Sequence, residues 1–173
     1  MTEKIIRPRL GPNVYIAPSA YVGGDVTFGA DCTVMHHVVI RGDISPITIG
    51  RRVNIQDGTI IHTRRDVPLE IGDDVSIGHR AVVHCRRIGP GSLIGIGAIV
   101  LDDAEIGAGS IVAAGALVPP GTVIAAGKLV VGLPARVLRD VSAADRSYLE
   151  HVVSSYLELG RAYAAGRFPN HAG

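Results

Sequence analysis

The stretch from Arg87 to Gly132, RIGPGSLIGIGAIVLDDAEIGAGSIVAAGALVPPGTVIAAGKLVVG, decides the fold. An aliphatic residue returns every six positions, at Ile88, Ile94, Val100, Ile106, Val112, Val118, Ile124 and Val130. A period of six is neither the 3.6 of a helix nor the two of an alternating strand. It fits a flat coil with three short sides, each one hexapeptide long, and one aliphatic side chain per side turned inward. Eighteen residues then close a coil, and residues eighteen apart stack at about the 4.8 Å spacing of paired strands.

The same period extends back toward the N-terminus. Leu10, Ile16, Val22, Phe28, Val34 and Ile40 form one run, Ile49, Ile55 and Ile61 a second, and Ile71, Ile77 and Val83 a third. Glycine follows many of these residues (Gly23, Gly29, Gly50, Gly72, Gly78, Gly89, Gly95 and Gly107), and with nearby Asn and Asp it is expected to form the corners. The phase slips three times: nine residues separate Ile40 from Ile49, ten separate Ile61 from Ile71, and five separate Val83 from Ile88. The two lengthenings predict loops around 42–47 and 63–70, where a repeat scaffold commonly carries its function.

The repeat predicts a mainly β fold, a parallel β-helix over residues 1–140 that ends near Gly132-Leu133-Pro134-Ala135, since Pro134 cannot extend a ladder. Ser142-Ala-Ala-Asp145 reads as a capping box opening a C-terminal α-helix over 141–166, packed on the β-helix through Leu149, Val152, Val153, Tyr156, Leu157 and Leu159. Residues 167–173 read as a tail.

Composition narrows the function. The 173 residues carry 17 basic and 16 acidic side chains, a net charge of +1, with no basic stripe of the kind that neutralises phosphates, so no nucleic-acid partner is expected. No run suits a membrane span, and Met1-Thr2-Glu3-Lys4 lacks the apolar stretch of a signal peptide. Cys32 and Cys85 have no CxxC spacing and read as reduced thiols of a cytoplasmic protein. Gly95-Ile-Gly97 and Gly107-Ala-Gly109 keep the six-residue phase and lack the rest of a dinucleotide fingerprint.

Of the seven histidines, His36, His37, His151 and His171 carry little signal. His62 and His84 are 22 residues apart; without the four-residue lengthening between them, 18 remain, which places them at one corner of successive coils. Two imidazoles stacked in this way can share a metal at Zn–N distances of about 2.0–2.1 Å. His79, the second residue after Ile77, belongs to a different side and points away from that pair within one chain. A third ligand must then come from a neighbouring chain, giving sites at subunit interfaces that threefold symmetry repeats. Three imidazoles with one open position describe a catalytic zinc. Spacing alone leaves three unrelated histidines on a regular scaffold as an equal alternative.

Five motifs in order decide between them. Arg41-Gly42-Asp43, Asn54-Ile55-Gln56-Asp57, His62, Ile77-Gly78-His79 and His84 resemble the signature of the gamma-class carbonic anhydrases, over most of the chain from about residue 10 to residue 140. The exit Gly132-Leu133-Pro134-Ala135-Arg136 matches too, but hexapeptide acyltransferases share it. The resemblance implies a left-handed β-helix, a homotrimer, and zinc (iron or cobalt as alternatives) held by His62 and His84 of one subunit and His79 of the next. It implies reversible hydration of carbon dioxide to bicarbonate by hydroxide generated on the metal, with Gln56 orienting the hydroxide or bicarbonate and Asp57 supporting it. Arg41 and Asp43 match an interfacial ion pair, either trimer-stabilising or bicarbonate-binding. Asn54 is expected to hold a coil corner rather than contact substrate, and Tyr156 either leans over the site or simply packs. Two departures stand out. Cys85-Arg86 replaces the usual Gly-Cys after the third histidine, so Cys85 either narrows the pocket or offers an alternative ligand. The acidic loop with its glutamate shuttle is missing; 63–70 offers only Asp66 and Glu70, and His36, His37 or Glu70 are the replacements at hand. A metal-dependent acyl-CoA thioesterase-like paralogue, a hexapeptide acyltransferase and a low-activity structural metal-binding homologue remain the rival readings.

Overall fold

The computed structural model describes residues 5–169; His171 and Met1–Lys4 lie outside the described residues. Short strands of mostly two residues wind into a left-handed parallel β-helix, closed by one helix, Ala143–Ala164. Three vertical rows of aliphatic residues fill its interior. Ile40, Ile61, Val83, Val100 and Val118 stack on the first side, Phe28, Ile49, Ile71, Ile88, Ile106 and Ile124 on the second, and Val34, Ile55, Ile77, Ile94, Val112 and Val130 on the third. All of them are buried. A second, smaller inward position lies two residues earlier in each repeat, where Val38, Val53, Ala81, Ala98, Ala104 and Ala116 fit the narrowing interior.

The glycines divide into two kinds, which revises the expected corner assignment. Those that directly follow the inward aliphatic residue of a repeat, such as Gly78, Gly89, Gly95 and Gly107, do not supply left-handed backbone. They sit where one coil presses on the next: a Cβ on Gly95 would stand 2.6 Å from the carbonyl carbon of Ala113 and 2.8 Å from the oxygen of Val112. The left-handed corners come two residues later, at Gly91, Gly97, Gly109, Gly115, Gly121 and Gly127. Asn13, Asp31 and Asp74 take the equivalent place elsewhere, and so, with positive φ, do His37, Arg52 and Arg80.

All three slips of phase fall at one corner, between the first and second sides. The expected loop at 42–47 is instead part of one long strand, Val39–Ile49, which rounds the corner with a register shift opposite Gly24 and Val26. Only the second lengthening leaves the ladder, between His62 and the strand Leu69–Ile71. The two brace each other, because the buried Thr63 hydroxyl donates to the carbonyl of Ser45 at 3.0 Å and accepts from its N–H at 3.2 Å. The missing residue at 84–87 turns Cys85 inward, where Ala104 stands one coil on.

Outward residues give the three sides different fates. The third side is covered by the helix, which opens on the capping box of Ser142 and Asp145 and seats Leu149 against Ile111, Leu93 and Leu129. At its far end Gly160 lies on Thr33, and Tyr163 stacks on Tyr15 at 5.6 Å. The second side is mostly polar, with Thr27, Thr48, Glu70, Arg87 and Glu105 facing out. The first side turns out Tyr21, Val39, Ile60, Val82, Ile99 and Leu117, and no element among the described residues covers it.

These packings make two predictions. Gly97→Ala, in open space at φ +66°, should cost about 1–2 kcal/mol through backbone strain alone. Gly95→Ala should cost more, since a backbone-to-backbone collision cannot be relieved by a rotamer; urea unfolding of the two variants gives the comparison. Hydrogen bonding to Arg139, then to Ser142, holds the Asp145 carboxyl well below the usual carboxylate range. A lowered folded pKa means that the cap's contribution is fully present above the unfolded value of about 3.9 and disappears as pH falls below it toward the folded value. Helix melting followed between pH 6 and pH 2 should show that dependence in the wild type and lose it in Asp145→Asn.

Candidate metal centre

Two corners flank the bare first side, and the histidines divide between them. The corner after that side carries Arg41, His62 and His84 in one column, since Arg41 pairs with His62 across adjacent strands and His62 lies one coil from His84. His62 Nδ1 stands 3.2 Å from His84 Nε2. The other nitrogen of each ring meets a carboxylate: His62 Nε2 donates to Asp43 Oδ1 at 3.0 Å, and His84 Nδ1 donates to Asp102. Carboxylates only accept, so in the neutral form of each ring the N–H lies at the carboxylate and the lone pair of the second nitrogen faces the other ring. Two ligands on a tetrahedral ion with bonds of 2.0–2.1 Å stand about 3.3 Å apart, so the observed separation fits a shared zinc.

The corner before the bare side carries Asp57 and His79. His79 Nδ1 lies 3.0 Å from Asp57 Oδ2, and Tyr156 of the helix brings its hydroxyl to 3.3 Å from His79 Nε2. Burial pushes the Tyr156 hydroxyl above its usual pKa, so it stays protonated at neutral pH and donates to that nitrogen. His36 lies at the same corner, with Nδ1 3.0 Å from the Ser19 hydroxyl and Tyr163 edge-on to its ring. His37 is a left-handed corner residue with φ 58°.

The structure therefore brings His62 and His84 together and leaves His79 apart. Among the described residues, no group of three His, Cys, Asp or Glu within one chain is placed to hold a metal. Arg41 and Asp43 form an ion pair of 2.6 Å beside the histidine pair, both side chains about half exposed. Burial raises the Asp43 carboxyl, but the His62 hydrogen bond and the Arg41 charge outweigh it and hold the group below its usual range. Asp57 contacts His79. Gln56 is buried and donates to Asn54 at 3.1 Å, and Asn54 donates to Ser76 at 2.6 Å. Asn54 thus lies under the helix on the third side, not at the corner expected of it. The Cys85 thiol points into the core, and burial pushes it up to about 12, so it neither narrows the pocket nor ligates. Glu70 faces out on the polar second side beside Arg87. Asp102 was not singled out in the sequence; its signal was its place eighteen residues after His84, one coil on.

Fold and site define a hexapeptide-repeat β-helix protein with an imidazole pair at one corner. Residues 87–120 match the family model described as bacterial transferase hexapeptide (six repeats). A carbonic anhydrase of Geobacillus kaustophilus is 44% identical over 158 residues, covering 91% of this chain and 87% of its own. The mitochondrial gamma carbonic anhydrase 2 of Arabidopsis thaliana is 34% identical over 164 residues, 91% of this chain and 59% of its own. A crystal structure of a Bacillus cereus protein described as a putative acetyltransferase superposes with a TM-score of 0.90 at 39% identity, covering 95% of both chains. The chain belongs to the gamma-class carbonic anhydrase family.

The seating of the helix sets the reach of Tyr156. A Cβ on Gly160 would collide with the Thr33 hydroxyl and stand 3.0 Å from its methyl group, while that hydroxyl is engaged with the Tyr156 carbonyl at 3.1 Å. Gly160→Ala should therefore lift the helix and cost about 1–3 kcal/mol. Chemical denaturation and limited proteolysis after Tyr156 should both report the loosened helix.

Proposed function

We propose that the protein is a zinc-dependent carbonic anhydrase whose metal centres form between the subunits of a homotrimer. One observation carries the reading: His62 and His84 present converging lone pairs on one side of a bare apolar face, and His79 lies on the other side. A second copy laid against that face would bury Ile60, Val82, Ile99 and Leu117 and bring the partner's His79 toward the pair. Threefold symmetry repeats the contact and uses every face once.

The residues fit the ion in number and chemistry: three imidazoles, each with one ring nitrogen on a carboxylate and the other left for a cation. Zinc held by His62 and His84 of one subunit and His79 of the next would lower the pKa of a water toward about 7, the chemistry that hydration at neutral pH requires. Iron or cobalt suits the same ligands. Arg41 places a guanidinium beside the pair, where it attracts the bicarbonate anion, and Asp43 keeps it from swinging away. Asp57 orients His79 from one ring nitrogen, and Tyr156 brings its hydroxyl to the other. Gln56, anchored by Asn54, is assigned the orientation of hydroxide or bicarbonate at the His79 corner. The buried reduced thiols suit a cytoplasmic protein.

Acetyl transfer is favoured by the description of the Bacillus cereus neighbour and by the hexapeptide family model. Acetyl transfer gives no reason for two imidazoles to converge at one corner, whereas metal-dependent acyl-CoA thioester hydrolysis would use the same ligands and is separated by its substrate alone.

The test is subunit complementation. His79→Ala and His84→Ala proteins should each lose zinc and carbon dioxide hydration. Co-refolded in equal amounts they should regain about a quarter of the wild-type sites, the share of random interfaces that pair an intact His62–His84 corner with an intact His79. Metal analysis, stopped-flow hydration and thioester and acetyl-CoA assays on the same samples give the readout. No recovery in a demonstrably mixed trimer would sink the shared centre. Zinc without hydration would leave a structural metal protein, and turnover of a thioester would move the substrate.

A further inference from the structure

We propose that Asp102 is a positioning residue for the metal centre: its carboxylate fixes His84 as the Nδ1–H tautomer and keeps the Nε2 lone pair facing His62. The proposal rests on the metal reading above, though its geometry does not. Asp102 follows Val100 at the position where the chain leaves the first side, and Val100 lies directly against Val83 in the ladder. The backbone N–H of His84 bonds to the carbonyl of Val100 at 2.9 Å, which brings His84 and Asp102 to the same corner. There the Asp102 carboxylate accepts the Nδ1–H of His84.

No cation competes for the Asp102 carboxylate among the described residues, and the other nitrogen of His84 faces only His62. Among the described residues, Asp102 has no Lys or Arg partner, since the nearby Arg64 pairs with Asp103 at 3.2 Å instead. Asp43, by contrast, divides its two oxygens between His62 and Arg41. Asp102 therefore serves His84 alone. A neutral imidazole has one N–H, and a carboxylate can only accept, so the contact dictates which nitrogen carries the proton. Without it the proton is free to occupy Nε2, the nitrogen 3.2 Å from His62, and an N–H there closes that nitrogen to a cation. The carboxylate also makes the imidazole a stronger donor. Asp102 touches neither the ion nor the substrate and acts only through His84.

The variants are Asp102→Ala, with Asp103→Asn as the neighbouring control that keeps a side chain tolerant of left-handed backbone. Two measurements are made on trimer-competent protein of wild-type circular dichroism. Nitrogen-15 NMR of the metal-free protein reads the His84 tautomer directly. We expect the Nδ1–H form in wild type and in Asp103→Asn, and a shift toward Nε2–H in Asp102→Ala. Chelator competition with zinc and with cobalt then reads affinity. We expect a loss of about 10- to 100-fold in Asp102→Ala and wild-type binding in the control. If wild type takes up no metal, the function proposed above fails while the tautomer measurement still decides the role of Asp102. An Nε2–H ring in metal-free wild type, or unchanged affinity in Asp102→Ala, would overturn the proposal.

Discussion

Every feature of this molecule hangs on the hydrogen bonds between coils. Each coil donates its backbone N–H groups to carbonyls of the next, as His84 does to Val100 and Gly78 to Ile94, so a residue's neighbours are fixed by position in the repeat and hardly at all by local preference. Strands of two residues have no stability of their own. They persist because the coils above and below pair with them and because a continuous aliphatic column fills the space between. The same pairing brings backbones close enough that Gly95 or Gly107 admits no side chain.

The columns make chemistry out of periodicity. Two histidines far apart in sequence stand 3.2 Å apart because one ladder carries both, and their carboxylates arrive from adjacent coils by the same rule. The irregular corner is where the rule is bent. Added residues after Ile40 and Ile61 carry Asp43 out beside His62, and the residue missing after Val83 rotates Cys85 into the core without moving His84 from its column. A perfectly regular helix would offer the imidazoles and Asp102, but Asp43 belongs to the lengthened segment between Ile40 and Ile49.

The three sides share one architecture and differ only in what points outward. A helix covers the side that carries Thr33, Ser76 and Ile111, charges solvate the second side, and the apolar first side is left open between His79 and the His62–His84 pair. An exposed apolar stripe is a liability in a monomer and a specification in an assembly. Its position between His79 and the His62–His84 pair is the placement on which the proposed shared centre rests.

The sequence by itself determined the coil, because a six-residue period leaves the chain no other way to bury Ile88 through Val130, and it determined that His62 and His84 share a corner, because equal spacing means equal position. The cap at Ser142 was legible for a local reason: its hydrogen bonds span three residues. What only the tertiary structure decided lies across coils or between elements. The inward turn of Cys85, the place of Asn54 beneath the helix, the continuity of the strand through 42–47 and the grip of Asp102 on His84 depend on how register slips are absorbed and which rotamers the neighbouring coil allows. A period predicts where a residue stands in the stack. It does not predict which way the side chain turns once a residue has been added or lost, since that is settled by the backbone hydrogen bonds the slip leaves available.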